Sequence, residues 1–229
     1  MHIAGLQKSS LLDYPSKIAA VVFTCGCNFR CGYCHNPNIL TDSKSLNFLD
    51  EQEVLNFLQN RIGKLDAVVV SGGEPTLQND LNRFLKEVKS MGFLTKLDTN
   101  GTNLNVIRNL VEQNLADYIA MDIKAPLNKY EVVTRTKTDI QQISESINFI
   151  MNCGLDYEFR TTIVKSQLSI NDLKNIGKLI IGAKRYYLQK FVANQTLDTS
   201  FANKTTYSDN EFSVIKSILE NYVNEVFIR

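Results

Sequence analysis

The sequence predicts an α/β fold, a partial, open (β/α)6 barrel built on a parallel sheet. The first observation is that apolar, β-branched runs alternate strictly with segments whose apolar residues recur at helical spacing. Such alternation favours a parallel sheet with right-handed crossovers. The second observation is that six strand–helix pairs are two short of the eight that close a barrel. A doubly wound open sheet is the alternative, and in both architectures ligands bind at the carboxyl ends of the strands.

These patterns place each element along the chain. The predicted strands share continuous or alternating apolar character and cover residues 18–24, 67–71, 94–99, 118–123, 157–164 and 185–191. The predicted helices share an apolar stripe and cover residues 50–61, 81–91, 107–115, 140–152, 169–181 and 208–222. A longer connection spans residues 125–139, and residues 226–228 are expected to form a short terminal strand. Three helices begin with a capping-box signature: Asp50 with Glu53, Ser169 with Asp172, and Ser208 with Glu211.

The composition is that of a single globular domain spanning residues 1–229. A chain of 229 residues, 44% hydrophobic and 21% charged, can bury a full core. Its 25 basic and 24 acidic residues give a net charge of +1, which argues against nucleic acid or an anionic membrane as partner. The longest apolar run covers residues 18–23, so neither a signal peptide nor a membrane span is expected. Five cysteines, three of them crowded, suit a reducing, cytoplasmic setting better than a disulfide scaffold.

Three of the cysteines lie together in the loop at residues 25–37. Cys27, Cys31 and Cys34 follow a Cys-x3-Cys-x2-Cys pattern. Crowded thiolates repel one another and oxidise readily, so a metal partner is expected. Zinc with His35 as fourth ligand is one alternative, but structural zinc sites usually draw their ligands from two separated knuckles, and no second Cys/His group follows. Three thiolates on a four-iron cluster would leave one iron open for chemistry, and the pattern favours such a cluster.

Polar and charged residues lie at or near the ends of successive predicted strands. In chain order they are Gly72, Gly73, Glu74 and Pro75; Asp98, Thr99 and Asn100; Asp122 and Lys124; Arg160; and Gln189. Charged groups within apolar strands are costly to bury unless they are paired or bound to a ligand. One interpretation is a layer of interior salt bridges among Asp98, Asp122, Lys124 and Arg160. The cysteine loop, which follows the first strand at the same predicted edge, favours a ligand site.

The cysteine pattern, with the aromatic Tyr33 just before its last cysteine, resembles the signature of the radical S-adenosylmethionine (SAM) enzymes. The stretches Gly5 to Pro15, Cys27 to Cys31 and Cys34 to Pro37 are more narrowly similar to glycyl-radical-enzyme activases. Among these, the activating proteins of anaerobic ribonucleoside-triphosphate reductase are the most similar. The resemblance agrees with a partial barrel of the radical SAM type. It weakens after about residue 190, before a C-terminal helix and tail at about residues 192–229.

The resemblance implies cofactors and their binding residues. It implies a [4Fe–4S] cluster on Cys27, Cys31 and Cys34, whose open iron chelates the amino and carboxylate groups of SAM. The residues expected around SAM are Tyr33 at the adenine, Gly72, Gly73 and Glu74 at the methionine part, Asp98 and Thr99 near the ribose, Lys124 and Arg160 at the carboxylate, and Gln189. Pyruvate formate-lyase activases also hold a monovalent cation with an Asp-Thr pair and a later strand-end Asp. Asp98, Thr99 and Asp122 match that pattern.

The resemblance also implies a reaction and partners. One electron from a flavodoxin-like or ferredoxin-like donor would cleave SAM, and a hydrogen atom would leave the Cα of a glycine in a glycyl-radical enzyme. The expected partner is anaerobic ribonucleoside-triphosphate reductase. Activation of pyruvate formate-lyase, or a radical SAM reaction on a small molecule, is an alternative within the superfamily. A zinc-stabilised binding module without catalysis is the alternative from another class.

Overall fold

The computed structural model of the protein describes residues 1–40 and 47–229, and its strands form one eight-stranded sheet. The strands, in their order across the sheet, are β1 (Ile3–Ser10), β2 (Ala19–Thr24), β3 (Ala67–Gly72), β4 (Leu94–Thr99), β5 (Tyr118–Asp122), β6 (Asp156–Ile163), β7 (Arg185–Lys190) and β8 (Glu225–Ile228). β1 is antiparallel to β2, whereas the pairs β2–β3, β3–β4, β6–β7 and β7–β8 are parallel. The order never reverses, as it would in a doubly wound sheet. The predicted α/β fold with an unclosed, mostly parallel sheet is confirmed.

The helices alternate with the strands, as predicted. In the described residues they are α1 (Glu51–Gln59), α2 (Leu81–Ser90), α3 (Leu104–Glu112), α4 (Tyr130–Thr134), α5 (Ile140–Asn152), α6 (Ile170–Leu179) and α7 (Asp209–Leu219). Both halves of the predicted capping box are present at the start of α6 and of α7. At α1, the Asp50 carboxylate accepts hydrogen bonds from the N–H groups of Gln52 and Glu53. The short helix α4 lies in the connection for which no element was expected.

The edge strand β1 is a correction to the expected set of strands. Only Ile3 and Ser10 of this strand are buried, and its middle residues are polar or half-exposed. Its pairing with β2 is also irregular, with register shifts between Ile3 and Gly5 and between Gln7 and Ser10. An edge strand of this kind lacks the apolar run by which the buried strands are recognised. At the other edge, β8 confirms the expected terminal strand.

The chain divides into two compact units, of which the first comprises Met1–Asn28, Asn38–Thr99 and Asn103–Ile119. One hydrophobic cluster in this unit joins its strands to the segment that precedes β2. Its buried members are Tyr14, Ala19, Val21, Ala67, Val69 and Tyr118. The rings of Tyr14 and Tyr118 lie 5.5 Å apart between centroids, so the segment before β2 is part of the core.

The second unit comprises Phe29–Pro37, Asn100–Thr102 and Ala120–Arg229. Its core residues come from α5, β6, β7 and α7, and include Ile143, Ile147, Ile150, Tyr157, Phe159, Tyr186, Leu188, Phe212 and Ile215. The buried Tyr186 hydroxyl donates a hydrogen bond to Thr161 Oγ1 at 2.7 Å, so its polar end is satisfied. The expectation of one domain over residues 1–229 stays a prediction.

None of the helices in the described residues has the length and apolar character that crossing a membrane requires.

Gly72 is the last residue of β3, and Gly73 follows it. Both glycines lie in direct contact with the backbone at or just after the end of β2. Gly72 has a φ of 109°, and a Cβ atom there would lie 2.5 Å from the backbone nitrogen of Thr24. A Cβ atom on Gly73 would lie 2.0 Å from the carbonyl oxygen of Gly26. The Gly73 N–H donates to the Thr24 carbonyl at 2.9 Å, and the Glu74 N–H donates to the Gly26 carbonyl at 2.8 Å. The glycines are therefore required where two backbones meet, because any side chain would separate them.

We predict that Gly73→Ala destabilises the protein. Its methyl group would overlap the Gly26 carbonyl, and overpacking of this kind costs about 1–3 kcal/mol. The melting temperature in a thermal unfolding experiment should fall by several degrees. Gly5→Ala is the matched control, because its Cβ would meet only the Phe23 ring at 3.7 Å, an ordinary contact. Equal melting temperatures for Gly73→Ala and the wild type would contradict the packing argument.

Candidate active site

The start of the cysteine loop belongs to the first unit and is held by backbone hydrogen bonds. The Gly26 N–H donates to the Ile39 carbonyl at 2.7 Å, and the Cys27 N–H donates to the Leu40 carbonyl at 3.2 Å. Gly26 has a φ of 89°, a conformation that other residues rarely adopt. These bonds join the start of the loop to its end and thereby fix the backbone at Cys27.

The residues around the other two cysteines belong to the second unit. The Cys34 N–H donates to the Cys31 carbonyl at 3.0 Å, which closes a turn. Two N–H groups from far along the chain then bind this turn: Leu197 donates to the Cys34 carbonyl and Asp198 to the Gly32 carbonyl, each at 3.0 Å. The position of both cysteines therefore depends on the segment after β7.

Gly32 is packed tightly between two side chains of the second unit. A Cβ atom there would lie 2.5 Å from the Phe201 ring and 2.8 Å from the Arg135 guanidinium. Arg135 also forms an ion pair with Asp198, and hydrogen bonds from Ser200 and Arg135 lower the pKa of Asp198 to about 2. Sequence reasoning missed these residues, because nothing in the local pattern links the tail to the cysteine loop.

The Cys31 thiol is in surroundings that oppose its ionisation. All five cysteines are thiols rather than disulfides, and Cys31 is buried while Cys27 and Cys34 are half-buried. Burial raises the pKa of the Cys31 thiol, the ammonium of Lys124 lowers it, and Cys34 raises it again, with a raised pKa as the balance. A thiolate at Cys31 therefore requires a positively charged partner.

Three thiols in one loop are a donor set that suits an iron–sulfur cluster. In the described residues, no group of three or more His, Cys, Asp or Glu side chains is placed to hold one ion. A four-iron cluster binds each thiolate at a separate iron, so its ligands do not have to converge on one point. His35, the fourth ligand of the zinc alternative, stacks on Phe191 with ring centroids 5.6 Å apart.

Tyr33 is almost completely buried within the second unit. Its side chain is 5% exposed, and its ring centroid lies 6.5 Å from that of Phe201. Burial and the nearby Cys31 raise the pKa of the Tyr33 phenol well above its usual range, so the phenol stays neutral at physiological pH. Its contact with adenine stays a prediction.

Asp122 binds both cations that sequence analysis assigned to the SAM carboxylate. Lys124 Nζ lies 2.9 Å from Asp122 Oδ2, and Arg160 Nε lies 2.7 Å from Asp122 Oδ1. Burial alone would raise the pKa of Asp122, but the charges of Arg160 and Lys124 outweigh it and hold that pKa well below the usual range. Burial would lower the pKa of Lys124, but Asp122, Tyr33 and Cys31 together raise it well above the usual range. These three groups, Asp122, Lys124 and Arg160, form a triad whose members are therefore all charged at neutral pH.

The triad combines the salt-bridge interpretation with the ligand-site interpretation. An ammonium has three N–H donors and a guanidinium five, so each of these side chains can bind more than one carboxylate. Arg160 Nη1 also lies 4.0 Å from Glu158 Oε1. Both side chains also keep some exposure, at 16% for Lys124 and 12% for Arg160. Asp122 can thus orient two cations that also bind a carboxylate ligand.

Asp98 has a different partner from the one expected. Its Oδ1 atom lies 3.2 Å from Lys96 Nζ, and its Oδ2 atom accepts a hydrogen bond from Ser71 Oγ at 3.1 Å. Lys96 is 2% exposed. The sequence does contain a signal for this pairing, because Lys96 lies two residues before Asp98 on β4 and alternate residues of a strand share one face.

Glu74 is fully buried and accepts hydrogen bonds from two threonines. Its Oε1 atom accepts from Thr76 Oγ1 at 2.5 Å, from the Thr76 N–H at 3.1 Å and from Thr99 Oγ1 at 2.7 Å. Glu74 thus caps the short 3₁₀ helix Pro75–Leu77 and fixes the end of β4. These contacts give Glu74 and Thr99 a structural role, and their contact with SAM stays a prediction.

Gln189 lies on β7 opposite Thr162 of β6, and Thr162 Oγ1 donates to Gln189 Oε1 at 3.3 Å.

Cys153, outside the cysteine pattern, ends α5, where its thiol donates to the Ile150 carbonyl at 3.3 Å. Cys25, the other cysteine outside the pattern, is 2% exposed.

Comparison with known proteins identifies the family. The Radical SAM superfamily model matches residues 21–179. A protein of Methanocaldococcus jannaschii, named provisionally as a glycyl-radical enzyme activating enzyme, is 33% identical over 99% of this chain and 95% of its own length. A pyruvate formate-lyase-activating enzyme of Staphylococcus aureus is 34% identical over 54% of this chain and 53% of its own length.

A solved structure supports the fold. Streptococcus suis SuiB bound to S-adenosylmethionine matches 89% of this chain with a TM-score of 0.67 and 15% identity. The chain spans 48% of SuiB, about half the length of that neighbour. The family model and the full-length relative decide the assignment: the chain belongs to the radical SAM superfamily, in the group of the glycyl-radical enzyme activating enzymes.

Proposed function

We propose that this protein uses SAM and a [4Fe–4S] cluster to generate a glycyl radical on anaerobic ribonucleoside-triphosphate reductase. The observation that carries the proposal is the loop of Cys27, Cys31 and Cys34, whose thiols are not in disulfides and whose backbone is fixed by hydrogen bonds in each unit. The radical SAM family uses such a cluster together with SAM. When bound, the two would supply hydrogen-atom abstraction, because one electron and the abstracted hydrogen atom together convert SAM to methionine and 5′-deoxyadenosine.

The residues of this chain bind and orient these cofactors. Cys27, Cys31 and Cys34 hold the cluster. Lys124 and Arg160, oriented by Asp122, donate to the SAM carboxylate. The residues that contact the rest of SAM are Tyr33 of the cysteine loop and the strand-end residues Gly72, Gly73, Glu74, Asp98, Thr99 and Gln189. Support comes from the ion-pair geometry for Lys124 and Arg160, and from the resemblance for the others.

The named partner rests on resemblance in Gly5 to Pro15 and Cys34 to Pro37. The pyruvate formate-lyase-activating enzyme of S. aureus, at 34% identity over 54% of this chain, favours pyruvate formate-lyase as the second candidate. The electron comes from a flavodoxin-like or ferredoxin-like donor. Thiols that are not in disulfides suit a reducing, cytoplasmic setting.

The cluster ligands give the first test of this proposal. Anaerobically reconstituted wild-type protein should hold about four irons and four sulfides per chain, as a four-iron cluster requires. Cys27→Ala, Cys31→Ala and Cys34→Ala should each lose the cluster, whereas Cys25→Ala and Cys153→Ala should keep it. Iron and sulfide analysis with visible absorption measures the outcome, and an intact cluster in Cys31→Ala would refute this ligand set.

The ion-paired cations give the second test. Lys124→Ala and Arg160→Ala should each weaken SAM binding to the reconstituted protein by about 1.5–3 kcal/mol, or roughly 10- to 150-fold, through loss of a charge-assisted hydrogen bond. Equilibrium binding of labelled SAM measures the effect. Lys129→Ala is the matched control, since it breaks a pair with Asp172 at 2.7 Å in the same unit and should leave SAM affinity unchanged. Wild-type affinity in both test variants would leave the triad with a structural role only.

The partner gives the third test. The reduced protein, supplied with SAM and the large subunit of an anaerobic ribonucleoside-triphosphate reductase, should produce a doublet in electron paramagnetic resonance, because one α-hydrogen remains on the glycyl radical. With α-deuterated glycine in the partner, the doublet should collapse to a singlet, and deuterium should enter 5′-deoxyadenosine. Radical formation on pyruvate formate-lyase alone would show that the reaction is right and the named partner is wrong.

A further inference from the structure

Lys96 is a buried lysine to which neither the family resemblance nor the proposed reaction assigns a role. It lies in β4 of the first unit and is 2% exposed. Its Nζ atom donates to the Asp13 carbonyl at 2.5 Å, lies 3.2 Å from Asp98 Oδ1, and is 5.5 Å from the centroid of the Tyr118 ring. A buried ammonium is costly unless it is paired, and here a carboxylate, a carbonyl and an aromatic ring all face it. The Lys96 ammonium therefore has a specific site within the first unit.

Asp98 is a buried carboxylate, which a nearby positive charge stabilises. It is 6% exposed, its Oδ1 atom lies 3.2 Å from Lys96 Nζ, and its Oδ2 atom accepts a hydrogen bond from the Ser71 hydroxyl at 3.1 Å. A buried carboxylate is destabilising or becomes protonated unless a positive charge or hydrogen bonds compensate it. Lys96 supplies a positive charge at this carboxylate.

We propose that Lys96 is a built-in cation for Asp98: its ammonium takes the place that a monovalent metal ion would take at that carboxylate. This deepens the proposed function, because Asp98 lies among the residues proposed to contact SAM. It also disagrees with the monovalent cation that the resemblance implies for Asp98, Thr99 and Asp122. A metal ion in contact with Asp98 would lie close to the ammonium, where like charges repel strongly because solvent is excluded.

The other expected cation ligands are also engaged. In the second unit, Asp122 already binds Lys124 at 2.9 Å and Arg160 at 2.7 Å. Both carboxylates of the expected metal site thus have cationic side chains as partners. The two carboxylates expected to bind the metal ion, Asp98 and Asp122, therefore do not fit a further monovalent cation.

The proposal also explains the stretch before β2. Within it, Ser10 Oγ donates to the Asp13 carboxylate, and the Leu12 N–H donates to Ser10 Oγ at 3.1 Å. These bonds fix the turn that presents the Asp13 carbonyl to Lys96, while Tyr14 packs next to Tyr118 in the core. The segment therefore helps to hold the ammonium in place.

The test is thermal unfolding of the full chain, as purified, in sodium, potassium and tetramethylammonium chloride at equal ionic strength. Tetramethylammonium is too large to enter a buried carboxylate site. Lys96→Met removes the charge and keeps the length of the side chain. Lys89→Met is the matched control, because Lys89 pairs with Asp117 at 2.7 Å in the same unit. The measurement needs neither SAM nor a partner enzyme, so failure of the proposed activity would not be mistaken for failure of this inference.

We expect the melting temperatures of the wild type and of Lys89→Met to change in the same way among the three salts. Lys96→Met should unfold about 10 °C lower than the wild type in tetramethylammonium chloride, as loss of one partner of a buried pair implies, and should recover in sodium or potassium chloride. The double variant Lys96→Met/Asp98→Asn should be more stable than Lys96→Met in tetramethylammonium chloride and show no such recovery, because the charge that needs a cation is gone.

Two results would overturn the proposal. One is a wild type that is stabilised specifically by sodium or potassium, beyond the response of Lys89→Met. The other is a folded Lys96→Met that does not respond to either ion. If Lys96→Met folds in none of the salts, the double variant decides: its folding supports the charge-balance argument, and its failure to fold refutes it.

Discussion

The candidate site depends on the backbone of the cysteine loop, which has little regular structure of its own. In the first unit, Ile39 and Leu40 accept hydrogen bonds from the start of the loop. In the second unit, Leu197 and Asp198 donate to the turn that carries Cys31 and Cys34. A reactive cofactor needs ligands held in fixed positions, and a loop provides them only when other segments bind its backbone. The tail after β7 is therefore part of the site, although its sequence shows no motif.

Buried charges are the second constraint on the molecule. Asp122 pairs with Lys124 and Arg160 and stays ionised in surroundings that would otherwise favour its neutral form, and Asp98 pairs with Lys96. A salt-bridge layer and a ligand site are therefore not exclusive alternatives here. An internal carboxylate orients the two cations, and cations held in this way suit an anionic ligand.

Gly72 and Gly73 have a structural role that sequence analysis did not name. The expected role for Gly72 and Gly73 was close approach to SAM. The close approach that the structure shows is to the backbone at Thr24 and Gly26, where a Cβ atom would overlap. The same contact places Glu74 next to the start of the cysteine loop. A strand-end glycine indicates that some atom comes near, but its chemistry is visible only in the folded chain.

The sequence by itself determined the α/β class, the alternation of elements, the caps of α6 and α7 and the cysteine pattern, because propensity, periodicity and capping act within a few residues. It did not determine β1, whose polar, half-exposed residues form a strand only when β2 is beside them. Tertiary structure alone bound the Cys31–Cys34 turn to residues 197–198. That binding depends on which surfaces meet when the chain folds, and a local pattern carries no record of partners more than 160 positions away.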